Sequence, residues 1–159
     1  IKNFYFSFCD SDDIWSNNWI SIMSKYYKFS YDLMICNSIL QTKNQVSKIS
    51  SGLDHFFSDP YFCPIYLNTV MFNSRLITSK KKFFDDNFEL LYDIDYWISN
   101  FDDLSYISIS NTLSTYIKHG NNLSSTKKFQ IFIERLKILR KHNLSILKFF
   151  FKTLLRFFK

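Results

Sequence analysis

Hydrophobic and polar positions alternate over IKNFYFSFC at the start of the chain, placing Phe4, Phe6 and Phe8 on one face and predicting a half-buried strand. SNNWISIMSKYYKF follows with helical spacing at Trp19, Ile22, Met23 and Tyr26, so the cluster Asp10, Asp12 and Asp13 falls where a strand ends and a helix is about to start. YDLMICNSIL predicts a second strand. KNQVSKISSGLDHFFSDPYF reads as a polar connection with short helical pieces, punctuated by Gly52 and Pro60, and LNTVMFNSRLI as a third strand. TSKKKFFDDNFELLYDIDYWISNFDD has the densest acids, with Asp93, Asp95 and Trp97 at the start of a helix. LSYISISNTLSTYIKH alternates again and runs into the turn-rich GNNLSS, and from Thr126 the pattern is helical to the end. Strands alternating with helices predict an α/β fold.

With 159 residues the chain is of single-domain size. It is 47% hydrophobic with a mean hydropathy of −0.12, because Asn, Ser, Lys and Asp interleave with Phe, Ile and Tyr, which predicts a folded core and excludes a disordered chain. Alanine is absent while Phe, Lys, Asn, Ile and Tyr abound, the mark of A- and T-rich codons, so this bias carries no functional weight. The start at Ile1, directly in a strand-like segment, leads us to expect a fragment or a product cut upstream.

The formal charge of +6 is unevenly distributed. Residues 127–159 hold Lys127, Lys128, Arg135, Lys137, Arg140, Lys141, Lys148, Lys152, Arg156 and Lys159 against Glu134 alone, so an anionic partner should meet this tail. Cys9, Cys36 and Cys63 lack a CxxC pair and repeating flanks, which argues against structural zinc. Their odd number with no signal peptide points to a reducing, cytoplasmic compartment, and no apolar run is long enough to cross a membrane. The aromatics follow core patterning and no nucleic-acid motif is present, so no nucleic-acid partner is expected.

Carboxylates at the carboxyl end of a strand lie on the edge where α/β sheets bind ligands. Asp10, Asp12 and Asp13 are too close together to ionise comfortably without a cation or ample water; Mg²⁺ or Mn²⁺ shared with substrate phosphates would neutralise them, with Asp12 the first choice of ligand. Equally, Asp10 or Ser11 could cap a helix beginning near Ile14 while the other acids are solvated.

Two families carry this grammar. The opening strand and DxD resemble the phosphatases of the haloacid dehalogenase superfamily, in which Asp10 would be the nucleophile; there Thr or Val is usual where this sequence has Ile14. The resemblance to family 2 glycosyltransferases of GT-A fold extends further. FYFSFCDSDDIWSNNWISIMSKYY looks like their strand, metal-binding DxD and following helix, and LNTVMFNSRLI resembles the strand lining the acceptor side. FFDDNFELLYDIDYWIS is similar to their segment ending in Glu-Asp-x-Asp-aromatic-Trp, and LSTYIKHGNNLSS to the closing strand and its Tyr-Arg-x-His-Gly-Asn-Asn-x-Ser tail.

This resemblance implies an α/β, GT-A-like sheet with flanking helices over residues 1–125, corresponding to the family's C-terminal portion with its N-terminal nucleotide-binding half missing, followed by a basic helical tail over 126–159. A chain of that extent is expected to bind a sugar nucleotide poorly by itself. The implied activity is metal-dependent, inverting transfer from a nucleotide-diphospho-sugar, a UDP-sugar first, to a glycan or lipid-linked acceptor in surface polysaccharide synthesis. Asp12, with Asp10 and His119, would hold Mn²⁺ or Mg²⁺; Asp10 and Ser11 would approach the ribose and diphosphate. Asp93 matches the family's general base, with Asp95 the substitute because Tyr92 stands where Glu is usual. Trp97 would border the sugar or fill the core. Asp93 also fits a helix N-terminal acid interacting with the dipole, and His55 and His142 receive no role.

In the tail, Lys148, Lys152 and Arg156 recur every fourth residue and line one helix face. Leu147, Phe150, Phe151, Leu154, Leu155 and Phe158 cover much of the rest. Such a helix suits a membrane interface over 144–159, at the cytoplasmic face if the acceptor is lipid-linked, or packs on the domain with a solvated basic edge. A membrane-associating remnant without catalysis is the competing class of function.

Overall fold

The computed structural model describes residues 4–49, 61, 65–78 and 83–157. Gly52, His55, Pro60, Cys63, Phe158 and Lys159 lie outside the described residues, as does the chain start. The fold is mixed α/β, a curled mixed sheet with flanking helices. The chain divides into two compact units: Ile1–Phe83 with Asp102–Gly120, and Phe84–Phe101 with Asn121–Lys159.

The first unit holds the sheet. Its described strands are β1 (Tyr5–Ser7), β2 (Ile14–Trp15), β3 (Leu33–Thr42), β4 (Val46–Ile49), β5 (Val70–Asn73) and β6 (Tyr106–Lys118), in the order β1-β5-β3-β6-β2 with β4 also on β3. β3 and β6 run parallel and the other pairs are antiparallel. β3 opens as the fully buried run Leu33–Cys36 between β5 and β6, and its second half pairs with β4. Val46–Ile49 is thus strand where the polar pattern predicts a connection, and the predicted third strand is confined to Val70–Asn73, followed by a short helix, Arg75–Thr78.

Helix α1 (Trp19–Met23) continues as a 3₁₀ segment, Ser24–Phe29. Trp19 and Met23 bury against Met34, Cys36, Met71, Ile109 and Leu113, the core on one side of the sheet. The alternation of the opening strand has a direct use: Phe6 stacks on Phe72 with centroids 5.4 Å apart, while Tyr5, pointing the other way, stacks on Tyr27 at 4.6 Å. Asp32 ties the start of β3 to β6 and to the Arg75–Thr78 helix, which we call α2. Its carboxylate accepts from the Ser105 N–H at 3.0 Å, from the Ser105 hydroxyl at 2.8 Å and from the Arg75 guanidinium.

The second unit is helical: α3 (Tyr92–Asn100), α4 (Leu123–Thr126), α5 (Lys128–Lys141) and α6 (Ile146–Phe157). The predicted continuous tail helix is broken because HNLS carries both a stop and a start. Asn143 adopts φ 53°, the left-handed conformation of a helix C-terminus, and Leu144 N–H reaches back to the Leu139 carbonyl at 2.8 Å. The Ser145 hydroxyl then accepts from Lys148 N–H at 3.3 Å, starting α6.

Candidate functional site

DSDD forms a turn between two strands and caps no helix. After β1 the chain turns with Asp13 N–H on the Asp10 carbonyl at 3.0 Å, enters β2 at Ile14, and becomes helical only at Trp19. Neither Asp10 nor Ser11 is a helix cap, because β6 claims Ile14 and Trp15 for strand pairing.

Register then decides what each acid meets. Ile14 lies opposite Thr115 in the antiparallel β2–β6 pair; continuing that register sets Asp12 opposite Ile117, with His119 two residues further on the same face. Asp12 Oδ2 and His119 Nε2 lie 2.8 Å apart, although 107 residues separate them in sequence. Both side chains are substantially solvent-accessible. An ionised carboxylate only accepts, so the imidazole donates through Nε2.

Asp13 faces inward. Its Oδ1 accepts from Ile117 N–H at 3.2 Å, standing in for the next rung of the strand ladder, and its Oδ2 accepts from Asn68 Nδ2 at 2.6 Å. Asn68 is buried, and its carbonyl accepts from Trp15 Nε1 at 2.8 Å. Burial raises the Asp13 carboxyl to about 6, and the charges of Asp10 and Asp12 add to it, outweighing the bonds from Ile117 and Asn68 that act the other way. The structure thus splits the cluster: Asp13 anchors the turn, Asp10 and Ser11 sit exposed on it, and Asp12 meets His119. Among the described residues no three His, Cys, Asp or Glu side chains converge on a metal-sized site.

The other acids singled out by sequence lie in the helical unit. Asp93 is on the first turn of α3, partly exposed, and its Oδ1 accepts from Ile94 N–H at 2.8 Å. Asp95 is buried, its side chain only 4% exposed, and both oxygens are engaged, one by Lys141 Nζ and one by His142 Nε2, each at 2.8 Å. Trp97 is fully buried and packs edge to face on Tyr96.

Two positioning residues escape a reading of the sequence. Asn68 lay inside an apparent strand, with no signal of its own. Glu134 had one, as the single acid among ten basic residues. Its buried carboxylate accepts from the N–H groups of Glu89 at 3.2 Å, Leu90 at 2.9 Å and Leu91 at 3.0 Å, fixing the segment that leads into α3. Burial works against its ionised form, but those backbone donors and Gln130 prevail and hold its pKa below the ordinary glutamate value.

Compared with known proteins, the chain matches no protein-family model, and no curated protein is significantly similar to it.

Proposed function

We propose that the acidic turn is the diphosphate side of a nucleotide-sugar transferase site of GT-A type, serving transfer from a UDP-sugar to a glycan or lipid-linked acceptor. The observation that carries this reading is the Asp12–His119 pair. Two of the three residues that a resemblance to family 2 glycosyltransferases marks for the metal, Asp12 and His119, are brought to 2.8 Å by strand register. A carboxylate oxygen beside an imidazole nitrogen suits Mn²⁺; Mg²⁺ favours oxygen donors alone. Asp12 and His119 would hold the ion, with substrate oxygens and water completing its coordination. When bound, it supplies charge stabilisation to the departing diphosphate.

The chain's own residues do the rest. Asp13 keeps the turn in place through Ile117 and Asn68, so that Asp12 is presented without searching conformations. Asp10 and Ser11, exposed on the same turn, are assigned to the ribose and diphosphate. As the general base the resemblance implies Asp93, on the helical unit; we favour it over Asp95, whose two oxygens are committed to Lys141 and His142.

Calorimetric titration with UDP, with and without Mn²⁺, tests the reading. Binding should require Mn²⁺ and weaken roughly tenfold or more in Asp12→Ala and in His119→Ala. Metal-independent binding, no binding, or variants indistinguishable from the parent would overturn it. In a transfer assay Asp93→Asn should lower turnover by about 10²-fold or more while leaving UDP affinity intact; turnover within a few fold would remove Asp93 as the base.

A further inference from the structure

The most apolar face of α6 points to solvent. Leu147, Phe150, Phe151, Leu154 and Leu155 are all exposed, Leu147 at 82% and Phe151 at 63%, and their spacing places them on one continuous stripe. Phe149 is buried, and Ile146 and Thr153 are partly so, on the opposite side. The helix therefore docks by its narrower, less apolar side. The exposed surface continues onto α5, where Phe129 is 78% exposed and the Phe132 ring lies 6.1 Å from that of Phe150. Lys148 and Lys152, one turn apart, border the stripe on one side.

We propose that this surface seats the chain on an anionic lipid bilayer, with α6 lying in the plane of the interface. Charge selects this occupant. The segment 127–159 carries ten basic residues and one acid, and that acid, Glu134, is buried with its oxygens on backbone N–H groups. A second copy of the chain would bring the same cationic border against itself, whereas anionic headgroups neutralise it while acyl chains receive the aromatic stripe. At twelve residues α6 is about 18 Å long, short of the roughly 30 Å hydrocarbon core, so it lies on the membrane and does not span it. Among the described residues no helix is long and apolar enough to cross a membrane. The inference stands on the helical unit and is independent of the transferase reading.

Co-sedimentation of the full chain with phosphatidylcholine vesicles, with and without phosphatidylglycerol, tests it. The parent should bind the anionic vesicles roughly tenfold or more tightly than the neutral ones, with the preference shrinking as salt is added. Phe151→Glu with Leu154→Glu should reduce binding by about tenfold or more, and Lys148→Glu with Lys152→Glu should abolish the anionic preference. Phe151, Leu154 and Lys148 are exposed and Lys152 is partly so, and circular dichroism matching the parent would show that the helices persist. Failure of the folded parent to bind anionic vesicles would overturn the proposal, as would undiminished binding in both double variants. Self-association of the parent that Phe151→Glu with Leu154→Glu dissolves would do the same, by identifying the face as an interface between copies.

Discussion

Asp13 and Glu134 are both carboxylates removed from water, and they titrate in opposite directions because their donors differ. Glu134 receives three backbone N–H groups, while Asp13 receives one backbone and one amide donor and has two acids as neighbours. A raised pKa means that the folded state binds the proton more tightly. Asp13 therefore favours folding most fully below 3.8, and that contribution is lost as pH rises through about 6. Asp13→Asn should stabilise the first unit above pH 6 by on the order of 1 kcal/mol, after allowance for solvent screening. The buried Asn68 Oδ1, which has no partner among the described residues, would rotate to accept from the new amide. Thermal melts of the variant and parent at pH 5 and 8 check this, with the gain larger at the higher pH. The sequence displayed the acids but could not rank them: their roles follow from which faces β6 and which faces solvent, and β6 lies about a hundred residues away.

At the scale of elements, α3 owes its start to a residue from α5. The carboxylate of Glu134 satisfies the N–H groups of residues 89–91, of which that of Leu91 is buried. Glu134→Ala should cost about 3 kcal/mol in chemical denaturation, and Glu134→Gln, which keeps one oxygen, roughly half as much. Equal losses for the two would show that packing, and not hydrogen bonding, is what the side chain supplies. Strand and helix periodicity made β3, β6, α1 and α3 legible, because their apolar spacing is local. The break between α5 and α6 was also written locally, in Asn143 and Ser145, but an apolar pattern continuing on both sides concealed it.

For the whole molecule, the opposed titrations set a pH profile. Glu134 and Asp32 have lowered pKa values, so their contributions are present above about 4.5 and 3.8 respectively and disappear as pH falls through the lower folded values; burial opposes ionisation in both, but hydrogen bonds to the carboxylates prevail. Combined with Asp13, this predicts a thermal midpoint that rises as pH falls from 7 toward about 5 and drops again below about 4. A midpoint declining steadily from pH 7 would contradict it. The concentration of basic residues in one helical unit is a sequence property, but the outward turn of the Leu147–Leu155 stripe is not, since an amphipathic pattern is the same whether its apolar side faces a core or a membrane.

By itself the sequence determined the periodic elements, the acidic turn after the first strand and the cationic end of the chain, because each depends on residues within a few positions of one another. Tertiary structure alone decided that Asp12 meets His119, that Asp13 is an anchor, that Asp95 is engaged by Lys141 and His142, and that Glu134 holds α3. Those outcomes depend on strand register and helix packing, which bring together groups far apart in the chain and settle, through burial and hydrogen bonding, which carboxylates remain available to a ligand.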